Sequence, residues 1–302
     1  MMSYPRFVAA GEALTDLIRV ANEQWSAKNG GATWNVARVM SALGVSSAFA
    51  GAVSQDCFGD ALIAASRQAN LDMRFMQQQP ASPLLAMVHE THPPQYFFVG
   101  DDSADLYFDP QALPDGWLSA GVWLHFGGIS LARPRLASKL LQLARQAKQV
   151  GATISYDPNF RILMNEQYDP VFEEMSRLAD VVKVSDEDLC GLFRTTDKTA
   201  ALARLQGWLQ PEAWLLYTYG EAGATLIHQQ QQWQQTPPVI EVLDTVGAGD
   251  ASVGGLVYSL MLQPQASGET HLAWAIAAGA AACLAIGATP PTLEQIQKLL
   301  CK

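Results

Sequence analysis

The chain reads as an α/β protein built on a mostly parallel sheet with helices on both faces. Three observations carry that expectation. Short apolar, β-branched runs alternate with helical stretches along most of the chain. Two segments far apart, near residues 12–25 and 84–99, break the alternation and read as strand pairs. A glycine turn, Gly247-Ala248-Gly249, follows an apolar run at 239–243 and opens a small-residue helix reaching Leu262. Right-handed crossovers join the strands of such a sheet, and ligands sit at the strands' carboxyl ends.

The elements follow in order. Residues 6–10 make a short buried strand, ended by Gly11-Glu12. Residues 12–20 alternate loosely, as a strand with one exposed face does. Gly30-Gly31 turns the chain into a helix that stops at Gly44. A strand at 47–52 and a helix at 59–70 follow. Residues 84–90 and 95–99 read as a hairpin around His92-Pro93-Pro94. Next come a strand at 122–126, a helix at 134–150 that starts on Pro134, and a strand at 153–156. A helix at 170–178, a strand at 181–184 and a helix at 199–209 continue the pattern. Residues 214–218 and 223–228 read as paired strands. The glutamine-rich stretch 229–235 reads as a polar hairpin tip. Helices at 272–286 and 293–300 close the chain. No linker divides it, so residues 1–302 form one domain. The 12–25 and 84–99 excursions are expected to pair into a small β lid.

Composition narrows the function classes. The 302 residues are 49% hydrophobic and 16% charged, enough for one large domain. A formal charge of −10 argues against nucleic acid or an anionic membrane as partner. Cys57, Cys190, Cys283 and Cys301 are too scattered for a zinc site and suit a reducing compartment. The N-terminus has no basic region followed by an apolar run, which points to the cytoplasm. Residues 272–288 lack charge but are mostly Ala and Gly, so they read as a buried helix rather than a membrane span.

The glycine turn carries the chemistry. Backbone N–H groups at such a turn converge on the positive end of the helix dipole, and small side chains let a phosphate approach them. Asp250 falls in the first helical turn, beside that anion site. A carboxylate there repels phosphate, unless its task is to take a proton from a substrate hydroxyl. The plain alternative is a helix-capping aspartate. Asn35 offers both a donor and an acceptor to sugar hydroxyls, beside Gly30 and Gly31, where backbone can approach a polyol. Asp16, near the lid junction, has the carboxylate that binds vicinal hydroxyls. Phe98 either faces a sugar or packs the lid. Arg161, in Asp157-Pro158-Asn159-Phe160-Arg161, has the planar fork that suits a phosphate or substrate oxygen. No Gly-x-x-x-x-Gly-Lys-Ser/Thr occurs, so a P-loop kinase is excluded.

The stretch from Asp244 to Val257, together with Gly30-Gly31-x-x-x-Asn35, resembles the two signatures of the PfkB, ribokinase-type carbohydrate kinases. Gly11-Glu12-x-Leu14-x-Asp16 and the Asp157–Arg161 motif are most similar to bacterial fructokinases. The resemblance implies a ribokinase-like three-layer sandwich, with ATP and Mg²⁺ as cofactors and Asp250 as catalytic base over an anion hole at Gly247, Ala248, Gly249 and Asp250. It implies nucleotide contacts from Arg161, Ser185, Thr218, Gly220, Gly223, Gly249 and Gly279. Ser185 and Asp188 stand where the family shows its magnesium-linked Asn-x-x-Glu, and Asp244 matches a monovalent-cation (K⁺) ligand of some members. Trp34 replaces the usual small residue and is expected to line or narrow the pocket. Substrate is expected to be D-fructose, the alternatives being 2-keto-3-deoxygluconate, ribose or aminoimidazole riboside. A homodimer through the lid edges is expected. Two other classes remain: a sugar-binding protein without turnover, and a nicotinamide dehydrogenase, for which Ser252 stands in place of the third glycine.

Overall fold

The computed structural model describes residues 3–91 and 94–301. The strands are β1 (Phe7–Ala10), β2 (Leu14–Ala21), β3 (Gln24–Gly30), β4 (Ser47–Ser54), β5 (Met76–Gln79), β6 (Leu85–Thr91), β7 (Pro94–Val99), β8 (Trp123–Gly127), β9 (Thr153–Asp157), β10 (Val181–Ser185), β11 (Trp214–Thr218), β12 (Ala224–His228) and β13 (Gln231–Gln235). The helices are α1 (Ala32–Ala42), α2 (Cys57–Gln68), α3 (Pro134–Gln149), α4 (Asp169–Leu178), α5 (Asp186–Phe193), α6 (Lys198–Gln206), α7 (Ala248–Leu262), α8 (Gly268–Ala282) and α9 (Leu293–Leu300).

Nine strands form the central sheet in the order β13-β12-β11-β10-β9-β8-β1-β4-β5. All pairs from β5 to β11 are parallel; β12 and β13 add antiparallel strands at one edge. The period-two side-chain alternation of a strand divides the core between the two faces. Val8 and Ala10 of β1 join the cluster under α3, α4, α5 and α6. Phe7 and Ala9 join the cluster with α1, α2, α7, α8 and α9. The result is three layers, helix on sheet on helix.

The second sheet has the order β3-β2-β6-β7. The two excursions meet through parallel β2 and β6, with Thr15 opposite Leu85 and Asp16 opposite Ala86. Leu14, Leu84, Ala86 and Ile129 form a small buried cluster that seats this lid on the sheet edge. The hairpin apex expected at His92-Pro93-Pro94 falls partly on His92 and Pro93, outside the described residues.

Several local expectations need correction. Residues 239–243 form no strand. Val239, Val242 and Leu243 are exposed, and the Leu243 N–H donates to Cys283 O at 2.9 Å rather than to a sheet neighbour. That side of the sheet already ends at β13. The glutamine-rich stretch is itself β13, with Trp233 opposite Leu226; polar outer residues suit an edge strand that must not recruit another chain. Strand β3 extends the first excursion to Gly30. Helix α5 was not expected. Its start is fixed by a capping box in which Ser185 Oγ accepts from the Asp188 N–H and Asp188 returns the bond to Ser185 N. Among the described residues no helix is long and apolar enough to cross a membrane.

Candidate active site

The site residues gather at the carboxyl ends of β1, β9 and β10, facing the N-terminus of α7 and roofed by the lid. Gly247 precedes α7 with φ 84°, a left-handed conformation open to glycine at no steric cost. A methyl there would also lie 2.9 Å from Ala288 Cα. Within the first turn, the backbone N–H groups of Gly249 and Asp250 find no acceptor among the described residues. Free N–H groups at the positive end of a helix dipole are of the kind that can receive an anion.

Asp250 is buried, and its Oδ2 accepts from Asn35 Nδ2 at 2.9 Å. Burial pushes its carboxyl up to about 7; the Asn35 hydrogen bond opposes this, Asp157 adds to it, and Lys183 and Arg161 pull it down. A carboxylate poised near neutrality beside such N–H groups can take a hydroxyl proton at physiological pH. Its carboxylate is engaged by Asn35 of α1 and makes no bond to the N–H groups of its own helix start among the described residues, so it does not act as a cap.

Lys183 is the principal residue that sequence reasoning missed. It is buried on β10, with Nζ 3.2 Å from Asp157 Oδ2 and 3.6 Å from Asp188 Oδ2. A methyl on Gly249 would come 3.3 Å from the same Nζ. Burial alone would push the ammonium down; Asp157 and Asp188 hold it above its ordinary range. The signal was in the sequence: buried parallel strands are almost uniformly apolar, and Val-Val-Lys-Val interrupts one with a charge.

Asp157 is pushed up to about 6 by burial, with Lys183 opposing. Arg161 is held by its own loop, its Nη1 donating to Asn159 O at 3.1 Å and Phe160 O at 2.7 Å. It lies 5.9 Å from the Tyr96 ring centroid. Tyr96 is a second residue missed by sequence, on the same face of β7 as Phe98, and the two rings meet edge to face at 5.6 Å. Phe98 packs on the lid's own apolar cluster. Asp16 approaches Arg161 from β2; burial pushes its carboxyl up to about 6 and Arg161 pulls it down. Gly30 leaves room for it in this position, because a methyl there would sit 2.2 Å from Asp16 Oδ2 and push the carboxylate aside. Gly31 caps α1 at φ 116°, against the carbonyl of Glu12.

The remaining expected residues fall into two groups. Thr218, Gly220 and Gly223 form the β11–β12 turn, where a methyl on Gly223 would strike Gln235 O at 2.3 Å. Gly279 lies at the α7–α8 contact, where a methyl would come 2.3 Å from Ser252 Oγ and 3.3 Å from Ala248 O, so a larger residue would make Ser252 move. Asp188 is occupied: Oδ1 accepts from Phe160 N at 2.8 Å and Oδ2 from Ser185 N at 2.7 Å. Burial would raise its carboxyl, but Lys183 and these N–H donors hold it below the usual range. Asp244 joins two loops, accepting from Val246 N at 3.1 Å and Gly287 N at 2.8 Å. Trp34 does not line the pocket. Its indole is buried against α2, with Nε1 donating to Ser66 Oγ at 2.8 Å.

Glu12, the residue after Gly11, is buried at the lid root. Oε2 accepts from the backbone N–H and hydroxyl of Ser130, and Oε1 from Ala32 N at 3.3 Å. Burial pushes its carboxyl up to about 7. It ties three loops together below the site.

Residues 5–295 match the model of the pfkB family carbohydrate kinases. The chain belongs to that family. As a pfkB sugar kinase it is 33% identical to a fructokinase of Klebsiella pneumoniae over 83% of this chain and 82% of the relative. The fructokinase of Xylella fastidiosa with bound ATP superposes with a TM-score of 0.88 at 27% identity, covering 98% of each chain. That of Vibrio cholerae in fructose-, ADP- and calcium-bound form gives 0.85 at 29% identity, over 97% of this chain and 98% of that one. The ribokinase-like fold is therefore shown. With only helices following α7, no second dinucleotide-binding half exists among the described residues, so the dehydrogenase reading falls.

Proposed function

We propose that this kinase moves the γ-phosphoryl group of ATP to a primary hydroxyl of D-fructose. The observation that carries the reading is Asp250, buried, hydrogen-bonded to Asn35 and set in the first turn of α7. Asp250 takes the proton of the attacking hydroxyl. The N–H groups of Gly249 and Asp250 receive charge on the transferring phosphoryl group, with Lys183 beneath and Arg161 beside it. Asp16 and Asn35 hold sugar hydroxyls, with Gly30 and Gly31 beside them. Tyr96 and Phe98 of the lid exclude water from the sugar. In this reading the nucleotide base is received by the exposed apolar residues Val242, Leu243, Val246 and Ile286, with Thr218, Gly220, Gly223 and Gly279 as further contacts.

ATP brings magnesium, which neutralises phosphate charge when bound. Among the described residues no group of three or more His, Cys, Asp or Glu could hold a metal ion. With Asp188 already engaged and Ser185 capping α5, the donor set fits an ion held chiefly by phosphate oxygens and water. A monovalent cation beside Asp244 would use the lone pairs that Val246 and Gly287 leave free.

The kinase is a homodimer in this reading. Val20, Trp25, Phe97 and Val99 are exposed on the lid, with Phe97 and Val99 on the face of β7 opposite Tyr96 and Phe98.

The test is ADP release over a panel of fructose, ribose, 2-keto-3-deoxygluconate and aminoimidazole riboside. Fructose should give the highest kcat/KM. A rival turned over at least about a hundredfold better would overturn the substrate.

A further inference from the structure

We propose that Arg38 is a positioning residue that holds the Asn35 amide in the orientation presenting its N–H to the Asp250 carboxylate. This rests on the reading of Asp250 as the base.

Arg38 Nη1 lies 3.4 Å from Asn35 Oδ1 and donates to Ala288 O at 3.1 Å. A guanidinium has donors only, so it fixes which end of the amide faces it. Oδ1 must turn to Arg38, and Nδ2 is then left to face Asp250 Oδ2, where it stands at 2.9 Å. Without Arg38 the amide gains an opposite orientation that sets its oxygen against the carboxylate.

The arginine is itself held. Its guanidinium stacks 4.3 Å over the Trp34 ring, one turn earlier on α1. Trp34 is locked by burial and by its bond to Ser66. The large indole at this position thus becomes a platform for Arg38. The same Nη1 also donates to Ala288 O, and Ala288 lies against Gly247. One side chain therefore links the amide that faces Asp250 to the backing of the Gly247 turn.

Asp250 is faced by Asn35 and Arg38 of α1, Asp157 of β9, Lys183 of β10, and Arg161 from the loop after β9. Loosening the Asn35 bond leaves burial and Asp157 less opposed, so the protonated carboxyl gains.

The test compares full-length Arg38→Met, Arg38→Lys, Asn35→Ala, the double variant Arg38→Met/Asn35→Ala, and Asp250→Asn. Each is assayed with fructose and ATP from about pH 5.5 to about pH 9. Arg38→Met should lower kcat about tenfold and keep the KM for ATP within about threefold, with any rise in KM confined to fructose, whose hydroxyls Asn35 holds. It should move the acid limb of kcat upward by about half a unit. In the Asn35→Ala background the same change should cost less than about twofold, because the effect runs through Asn35. Arg38→Lys keeps stem and charge but loses the fork; its kcat should fall part-way, and it decides the case if Arg38→Met fails to fold. A variant with unchanged kcat and acid limb, or with only a raised KM for ATP, overturns the role of Arg38 while Asp250→Asn remains inactive. Activity of Asp250→Asn within about threefold of the parent overturns the base reading and this role with it.

Discussion

Asn35 Nδ2 and Asp250 Oδ2 stand 2.9 Å apart across 215 residues of sequence. The bond joins α1, which follows the first lid hairpin, to α7, which begins at the Gly247 turn. Under the proposed reading, the sugar side and the phosphate side of the site meet at this contact.

The state of that carboxylate sets the pH response. Burial raises Asp250 to about 7, so the base form is lost as pH falls through that value. The acid limb of kcat/KM should therefore lie near pH 7, well above the range of an exposed aspartate. Stability runs the opposite way. A raised folded pKa favours the protonated native state, so the Asp250 contribution is full below the unfolded value and is lost as pH rises through about 7. Glu12, raised to about 7, and Asp16 and Asp157, raised to about 6, act in the same direction. Ligand-free enzyme should melt higher near pH 5.5 than near pH 8, and Asp250→Asn should melt higher than the parent at pH 8. A melting temperature that rises steadily from about pH 5 to about pH 8 in both proteins would contradict the assignment.

Lys183 should matter for both chemistry and stability. Replacing it with Met removes a cation from beneath Gly249 and strands Asp157 and Asp188 in a buried site. The kcat should fall about 10²- to 10³-fold, the scale of losing one oxyanion donor. Breaking a buried pair by removing one partner costs about 3–5 kcal/mol. Calorimetry should recover part of the loss near pH 5, where Asp157 protonates. Normal turnover in Lys183→Met would place the lysine outside the reaction.

Arg161→Ala should weaken ATP use by about 1.5–3 kcal/mol, the value of a hydrogen bond to a charged group. Steady-state KM for ATP, with fructose saturating, measures this. Because Arg161 also faces Asp16 and Tyr96 of the lid, the KM for fructose should rise as well, though less. Unchanged constants for both substrates would remove Arg161 from the site.

The lid should hold two chains together. Light scattering at micromolar concentration should give a dimer, and Phe97→Lys with Val99→Lys on the exposed face should give a monomer. A monomer of the unaltered protein would refute the interface.

The parallel sheet, the lid and the helix start that carries Asp250 were legible because each leaves a local mark: β-branched runs, breaks in alternation, a Gly-x-Gly turn. Residues 239–243 show where such marks mislead. Their apolar, β-branched character matches a strand, yet they add nothing to the edge that β13 presents, and the Leu243 N–H is given to Cys283 O instead. Gln231–Gln235 is the converse, a strand whose one β-former is Trp233 and which pairs with β12 along its whole length. Asn35 and Asp250 were each readable, but their contact was not, since only the packed α1–α7 pair creates it. Trp34 was readable as bulk; its direction, toward Ser66 and beneath Arg38, depends on where α2 packs.

The central claim is that Asp250 removes the hydroxyl proton during phosphoryl transfer. Asp250→Asn keeps the shape and the Asn35 contact while abolishing basicity. With fructose and ATP saturating at about pH 8, ADP release should fall about 10²- to 10⁴-fold, and fructose binding measured without ATP should stay near that of the parent. A variant turning over within about threefold of the parent would contradict the account.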